Sequence, residues 1–185
     1  AYEMLQYWLL QREADRFGFD LSILRFLVVL YSMERVIILE GVATGIVKPL
    51  RAVAAGCSFA DLMMRLALMA FVTKASEAWA GIRLAVVVDD IQVLAVGERL
   101  RVVTTMSKTY AILLEGIKET QLVLAEDKVI LLASDAETAR LVARRHPGLD
   151  KAIRRSARNL GADFGAGKPG GAAVRLGRAA TVKKK

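Results

Sequence analysis

Leu84-Ala85-Val86-Val87-Val88-Asp89-Asp90-Ile91-Gln92-Val93-Leu94-Ala95-Val96 is the stretch that decides how this chain is read. Two apolar runs rich in β-branched residues flank a pair of acids, the pattern of two strands joined at a tight turn. Apolar residues on both sides predict buried strands, with both carboxylates projected from a hairpin tip amid hydrocarbon. A carboxylate in such surroundings either takes up a proton or is compensated by a cation, and two side by side favour a divalent metal. Asp also tolerates positive φ and bonds its own backbone, so a purely structural Asp-Asp turn is the competing explanation.

Outward from the hairpin, the chain alternates helix and strand signals without a strict βαβ order. Upstream, Ser58 followed by Asp61 resembles a capping arrangement that opens a long apolar helix ending near Gly81. Backbone N–H groups at the small-residue turn before it, unobstructed at Gly56, are placed to approach a phosphate or a base. Earlier still, Tyr2, Leu5, Trp8, Leu9 and Arg12 keep helical spacing up to a stop at Gly18, and a second helix is predicted from Leu21 to about Met33. Arg35 to Glu40 and Gly45 to Val47 predict a strand pair.

Downstream, a helix is predicted from Glu98 to about Glu119, and short strands at Leu122–Leu124 and Val129–Ala133. Ser134-Asp135-Ala136-Glu137 reads as a capping box for a helix reaching His146, and Ala157 to Asp163 as a last extended piece. These elements predict an α+β fold, with an antiparallel sheet packed against helices over residues 1–163. Residues 164–185, rich in Gly and basic side chains, predict a flexible basic C-terminal tail.

Composition narrows the function classes. At 185 residues, 55% of them hydrophobic, the chain is long enough to bury a core, and no apolar run reaches the roughly 18 residues of a membrane span. No secretory signal is visible, and the single Cys57 allows no internal disulfide, so an intracellular, reducing setting is expected. The start at Ala1 within a helical pattern suggests a fragment. Lys168, Arg175, Arg178 and Lys183 to Lys185, with no acid after Asp163, carry six of the formal +8 charges. A second basic cluster, Arg140, Arg144, Arg145, Lys151, Arg154, Arg155 and Arg158, is opposed mainly by Asp150. Such clustering fits a phosphate backbone as well as it fits solvated helix faces. The only histidine, His146, has no partner motif and is assigned a structural role.

Several of these pieces together resemble the palm of a reverse transcriptase, most like those of non-LTR retroelements and group II introns. Val86 to Ile91 resembles the family's aromatic-x-Asp-Asp hairpin, and Ala54 to Ala60 its Gly-containing turn before a long helix. Lys128, and Asn159-Leu160-Gly161, resemble the later palm lysine and the Leu-Gly primer hairpin, while Ala1-Tyr2-Glu3 resembles the end of the first catalytic strand, whose Asp would lie just before Ala1. Val87 stands where the family carries an aromatic residue and Ala55 where it often carries Gln.

The resemblance implies an RNA-directed DNA polymerase, a nucleotidyltransferase that uses two Mg2+ ions to add deoxynucleoside triphosphates to a DNA primer on an RNA template. It implies Asp89 and Asp90 as catalytic metal ligands, and Gly56, Lys128 and Gly161 as substrate- and primer-binding residues. With the first catalytic strand missing, these residues alone are expected to be inactive. By analogy with the family, the nucleus is a possible location, with no membrane partner. The alternative is a noncatalytic nucleic-acid-binding domain that retains a degenerate polymerase palm; in a third class, the Asp pair is only a turn.

Overall fold

Gly18 ends the first long helix, α1 (Tyr7–Phe17), in the left-handed region at φ 67°, and its N–H points back to the carbonyls of Ala14 and Asp15. Lacking a Cβ, it takes that conformation at little cost, which makes it an effective stop. Asp20 then caps α2 (Leu21–Ser32), its carboxylate accepting from the N–H of Ser22 at 2.7 Å and of Ile23 at 3.3 Å. Those bonds favour the ionised form and hold the Asp20 carboxyl below the usual carboxylate range. The computed structural model describes residues 2–53, 57–87, 89–159 and 162–165, and the statements below concern these.

The fold is mixed α+β, as the element order predicts. Its strand pairs are β1 (Ile38–Leu39) with β2 (Val42–Ala43), β3 (Ile82–Val87) with β4 (Asp90–Ala95), and β5 (Ser156–Asn159) with β6 (Ala162–Gly165). The first and last pairs are antiparallel, Ile38 facing Ala43 and Asn159 facing Ala162. An Arg35–Val47 bridge extends the first ribbon, whose turn residues Glu40 and Gly41 both have positive φ. Among the described residues each ribbon has two strands.

The chain divides into two compact units, residues 1–94 with 109–124, and residues 95–108 with 125–185. In the first, α1 packs on α2 and on α3 (Ala60–Glu77), burying Leu9, Leu10, Leu24, Leu27, Met63 and Met64 almost completely. Leu113, in the helix α4 (Arg99–Glu119), joins the same cluster, and Gly116 lies directly against the Phe71 ring of α3. In the second unit, α5 (Ala136–Arg144) turns Ala139, Val142 and Ala143 inward beside Leu131, Leu149 and Ala152. Asp135 caps α5, accepting from the Thr138 N–H at 2.9 Å and its hydroxyl at 2.7 Å.

Four local expectations are corrected. The opening Tyr2–Met4 is a 3-10 turn, where the resemblance calls for the end of a strand. Ser58 does not cap α3; the N-terminal position falls to Phe59, which makes no side-chain bond, while Asp61 pairs with Arg65 one turn on at 2.7 Å. The cap of α5 is Asp135, one residue beyond the expected Ser134, because its carboxylate reaches both donors of Thr138. Residues 122–124 and 129–133 are not strands: Glu126–Lys128 forms a 3-10 turn between them, and Leu131 makes a single parallel bridge to Ile153.

Candidate functional site

In the hairpin of β3 and β4, strand β3 is half-buried along one face only, while Ile91, Gln92 and Val93 of β4 are all half-buried. Exposure alternates along β3, with Ile82, Leu84 and Val86 inward and Arg83, Ala85 and Val87 outward. Leu84, Val86, Ile91 and Val93 pack against the core of the first unit, and α3 lies against β3. In β3 this is the ordinary pattern of a strand with one face on a core and one in water.

That arrangement corrects the expectation of carboxylates surrounded by hydrocarbon. Asp89, in the turn, and Asp90, the first residue of β4, are both exposed. Water solvates them, so desolvation supplies no pressure toward a bound cation. What remains is two adjacent carboxylates held at the end of a ribbon whose inner face is anchored by Val86 and Ile91.

The donor chemistry partly suits the implied ions. Mg2+ retains several waters and takes one or two carboxylates, which Asp89 and Asp90 supply. A two-ion centre needs more, and the described residues contain no group of three or more His, Cys, Asp or Glu side chains suited to a metal. The fit therefore extends to one hydrated ion at the hairpin tip.

The other expected site residues are Gly56, Lys128 and Gly161. Gly56 and Gly161 lie outside the described residues; what is described around Gly161 is the pairing of β5 with β6 on either side of it. Lys128 is exposed at the end of the Glu126–Lys128 turn in the second unit. It forms no ion pair with Glu126 or Asp127, the structural role that its neighbours suggest.

Two arrangements were not foreseen from the sequence. The Tyr31 hydroxyl donates to Cys57 Sγ at 3.0 Å, holding the thiol below its usual range, while burial, with that bond, raises Tyr31. No local pattern links residues so far apart. In the second unit, Arg99 reaches Glu137 at 2.6 Å and Asp135 at 3.5 Å, so the acids opening α5 are paired from α4. The basic cluster farther along α5 is left largely to solvent. Arg140, Arg144, Arg145, Lys151, Arg154 and Arg155 are all exposed, and none is in an ion pair among the described residues. Arg140 and Arg144 border a shallow depression of about 350 Å³ with Pro147, Gly148, Asp150 and Ile153. His146 places Nε2 2.9 Å from the Ser107 carbonyl oxygen; that oxygen can only accept, so Nε2 carries the proton in a structural bond.

No helix among the described residues is long and apolar enough to cross a membrane. Comparison with protein-family models, with curated proteins and with solved structures returned no match.

Proposed function

We propose that the chain is part of an RNA-directed DNA polymerase palm, with the Asp89-Asp90 tip as one strand's contribution to a two-metal centre. The observation that carries this reading is the joint placement of the two exposed carboxylates at the end of a ribbon that α3 backs. Asp89 and Asp90 would hold the ion, which when bound would stabilise charge on phosphoryl oxygens as a Lewis acid. The chain's own part is to hold the two consecutive acids at the tip of a ribbon anchored by its inner face. Lys128, Gly56 and Gly161 enter the proposal as contacts to triphosphate, template and primer, on the strength of the resemblance alone.

Mn2+, a paramagnetic substitute for Mg2+, tests the proposal. Sub-stoichiometric Mn2+ should broaden the amide resonances of residues 89–91 before those of other exposed acids such as Glu119, and excess Mg2+ should reverse the effect. Unselective broadening, or selective broadening that survives in the double variant D89N/D90N, rejects the metal site.

A second reading, a noncatalytic nucleic-acid-binding domain, is favoured by the exposed arginines of α5 and the segment after it. It requires salt-sensitive binding to RNA that is undiminished in D89N/D90N.

A further inference from the structure

The least satisfied surface of the first unit is apolar. α2 buries Leu24, Leu27 and Tyr31 on one side and exposes Phe26 (67%) and Val29 (62%) on the other. The ribbon that follows is open on both faces: Ile38, Leu39, Val42 and Ile46 are each 70–72% exposed. Ile38 and Leu39 are consecutive in a strand and so point to opposite faces, and neither face is covered. Together with Met33, Val36 and Ile37 these residues expose on the order of 1,000 Å², summed over the outer side of α2 and both faces of the ribbon, against the roughly 800 Å² each partner buries in a stable dimer.

We propose that this surface is a homodimer interface, in which the β1–β2 ribbon of each copy lies across the outer face of α2 of the other. The two uncovered features become each other's cover, and the exchange is reciprocal, as a two-fold interface requires. Charge favours a second copy over a lipid surface. Interfacial helices carry many Lys and Arg beside their apolar face, whereas α2 has Arg25 alone, and in and beside the ribbon Glu34 and Glu40 offset Arg35 and Lys48. The proposal is independent of the Asp89-Asp90 reading.

Sedimentation velocity of the whole chain across about 0.5–100 µM, a range that spans typical dimer affinities, should give a mass near twice 20.2 kDa at the upper end. The ribbon variant L39D/V42D and, separately, the helix variant F26D alter side chains that are exposed in the single copy. Each should weaken association about 100-fold or more, since the dimer would have to bury an unpaired charge. Circular dichroism should show both variants folded, and exposed Lys118→Ala should leave association unchanged. Since the two variants lie on different elements, folding of either one suffices for the comparison. A chain monomeric at 100 µM, a dimer indifferent to the folded variants, or co-sedimentation with phosphatidylcholine vesicles in place of self-association would overturn the proposal.

Discussion

Gly116 sits inside α4, where replacement by Ala would ordinarily gain about 1 kcal/mol of helix propensity. Here a Cβ would overlap Cβ and Cγ of Phe71, far inside van der Waals contact, so the substitution forces α3 and α4 apart. Overpacking of that kind costs about 1–3 kcal/mol, so G116A should lower the urea midpoint despite its better propensity. A second residue-scale test concerns Glu13, which is fully buried on α1, with Oε1 2.6 Å from Arg12 Nη2 and Oε2 without a hydrogen-bond partner among the described residues. Removing the guanidinium in R12M strands a charge in the core. Because Arg12 is itself half exposed, the loss should be about 2 kcal/mol, short of the value for a fully buried pair. R12M/E13M should recover most of it, since an apolar side chain leaves nothing unpaired; equal destabilisation of single and double variants in urea melts would show that the pair contributes only packing.

At the scale of elements, caps tie stability to pH. Asp20 and Asp135 accept backbone N–H bonds at the starts of α2 and α5, and both carboxyls are held below their usual range by those bonds. A folded-state value depressed below the unfolded one contributes stability that is fully present above the unfolded value, about 3.9, and fades as pH falls through the folded one. Stability should therefore drop as pH is lowered from about 5 through 3.9 and below, and the drop should shrink in D20N/D135N, because Asn caps without titrating. Thermal melts of both proteins at pH 7 and pH 3.5 check this; an identical pH response would remove the caps from the account. These boundaries were legible because Gly18 acts through its own backbone and the Asp20 carboxylate through N–H groups only two and three residues on. The α3 start was not, since Arg65 competes for Asp61 and Ser58 lies outside the first turn. The apolar runs at 122–124 and 129–133 imitate strands by composition, yet they lack strand partners and contribute single residues, Leu122 and Leu131, to packing. For the hairpin, the sequence located the turn and its acids, but uniform apolarity hid the alternation that leaves one face in water. Period-2 exposure is a property of what covers the ribbon, and α3 covers one side.

Across the whole molecule, charge distinguishes the polymerase reading from simple nucleic-acid binding. The acids that open α5 are paired with Arg99, whereas Arg140 and Arg144, one turn apart, stand exposed with no ion pair among the described residues. Their apolar neighbours Ala139, Val142 and Ala143 are already buried, so what this helix offers outward is guanidinium. Planar, multiply donating groups of that type suit phosphate oxygens, and each phosphate neutralised releases a counterion. If both arginines contact single-stranded RNA, the slope of log K against log salt should be shallower by about 1.4 in R140Q/R144Q than in the parent, at about 0.7 per contact. Fluorescence anisotropy between 50 and 200 mM KCl, a range in which such slopes are readily measured, reads this directly. D89N/D90N should leave the slope unchanged, because the tip carboxylates add no cationic contact, and under the polymerase reading it should instead abolish the Mn2+ effect at residues 89–91. An unaltered slope in the arginine variant would place any RNA contact elsewhere on the chain. Loss of RNA binding in D89N/D90N without Mn2+ or Mg2+ present would show that the Asp pair matters to the fold or interface independently of a cation.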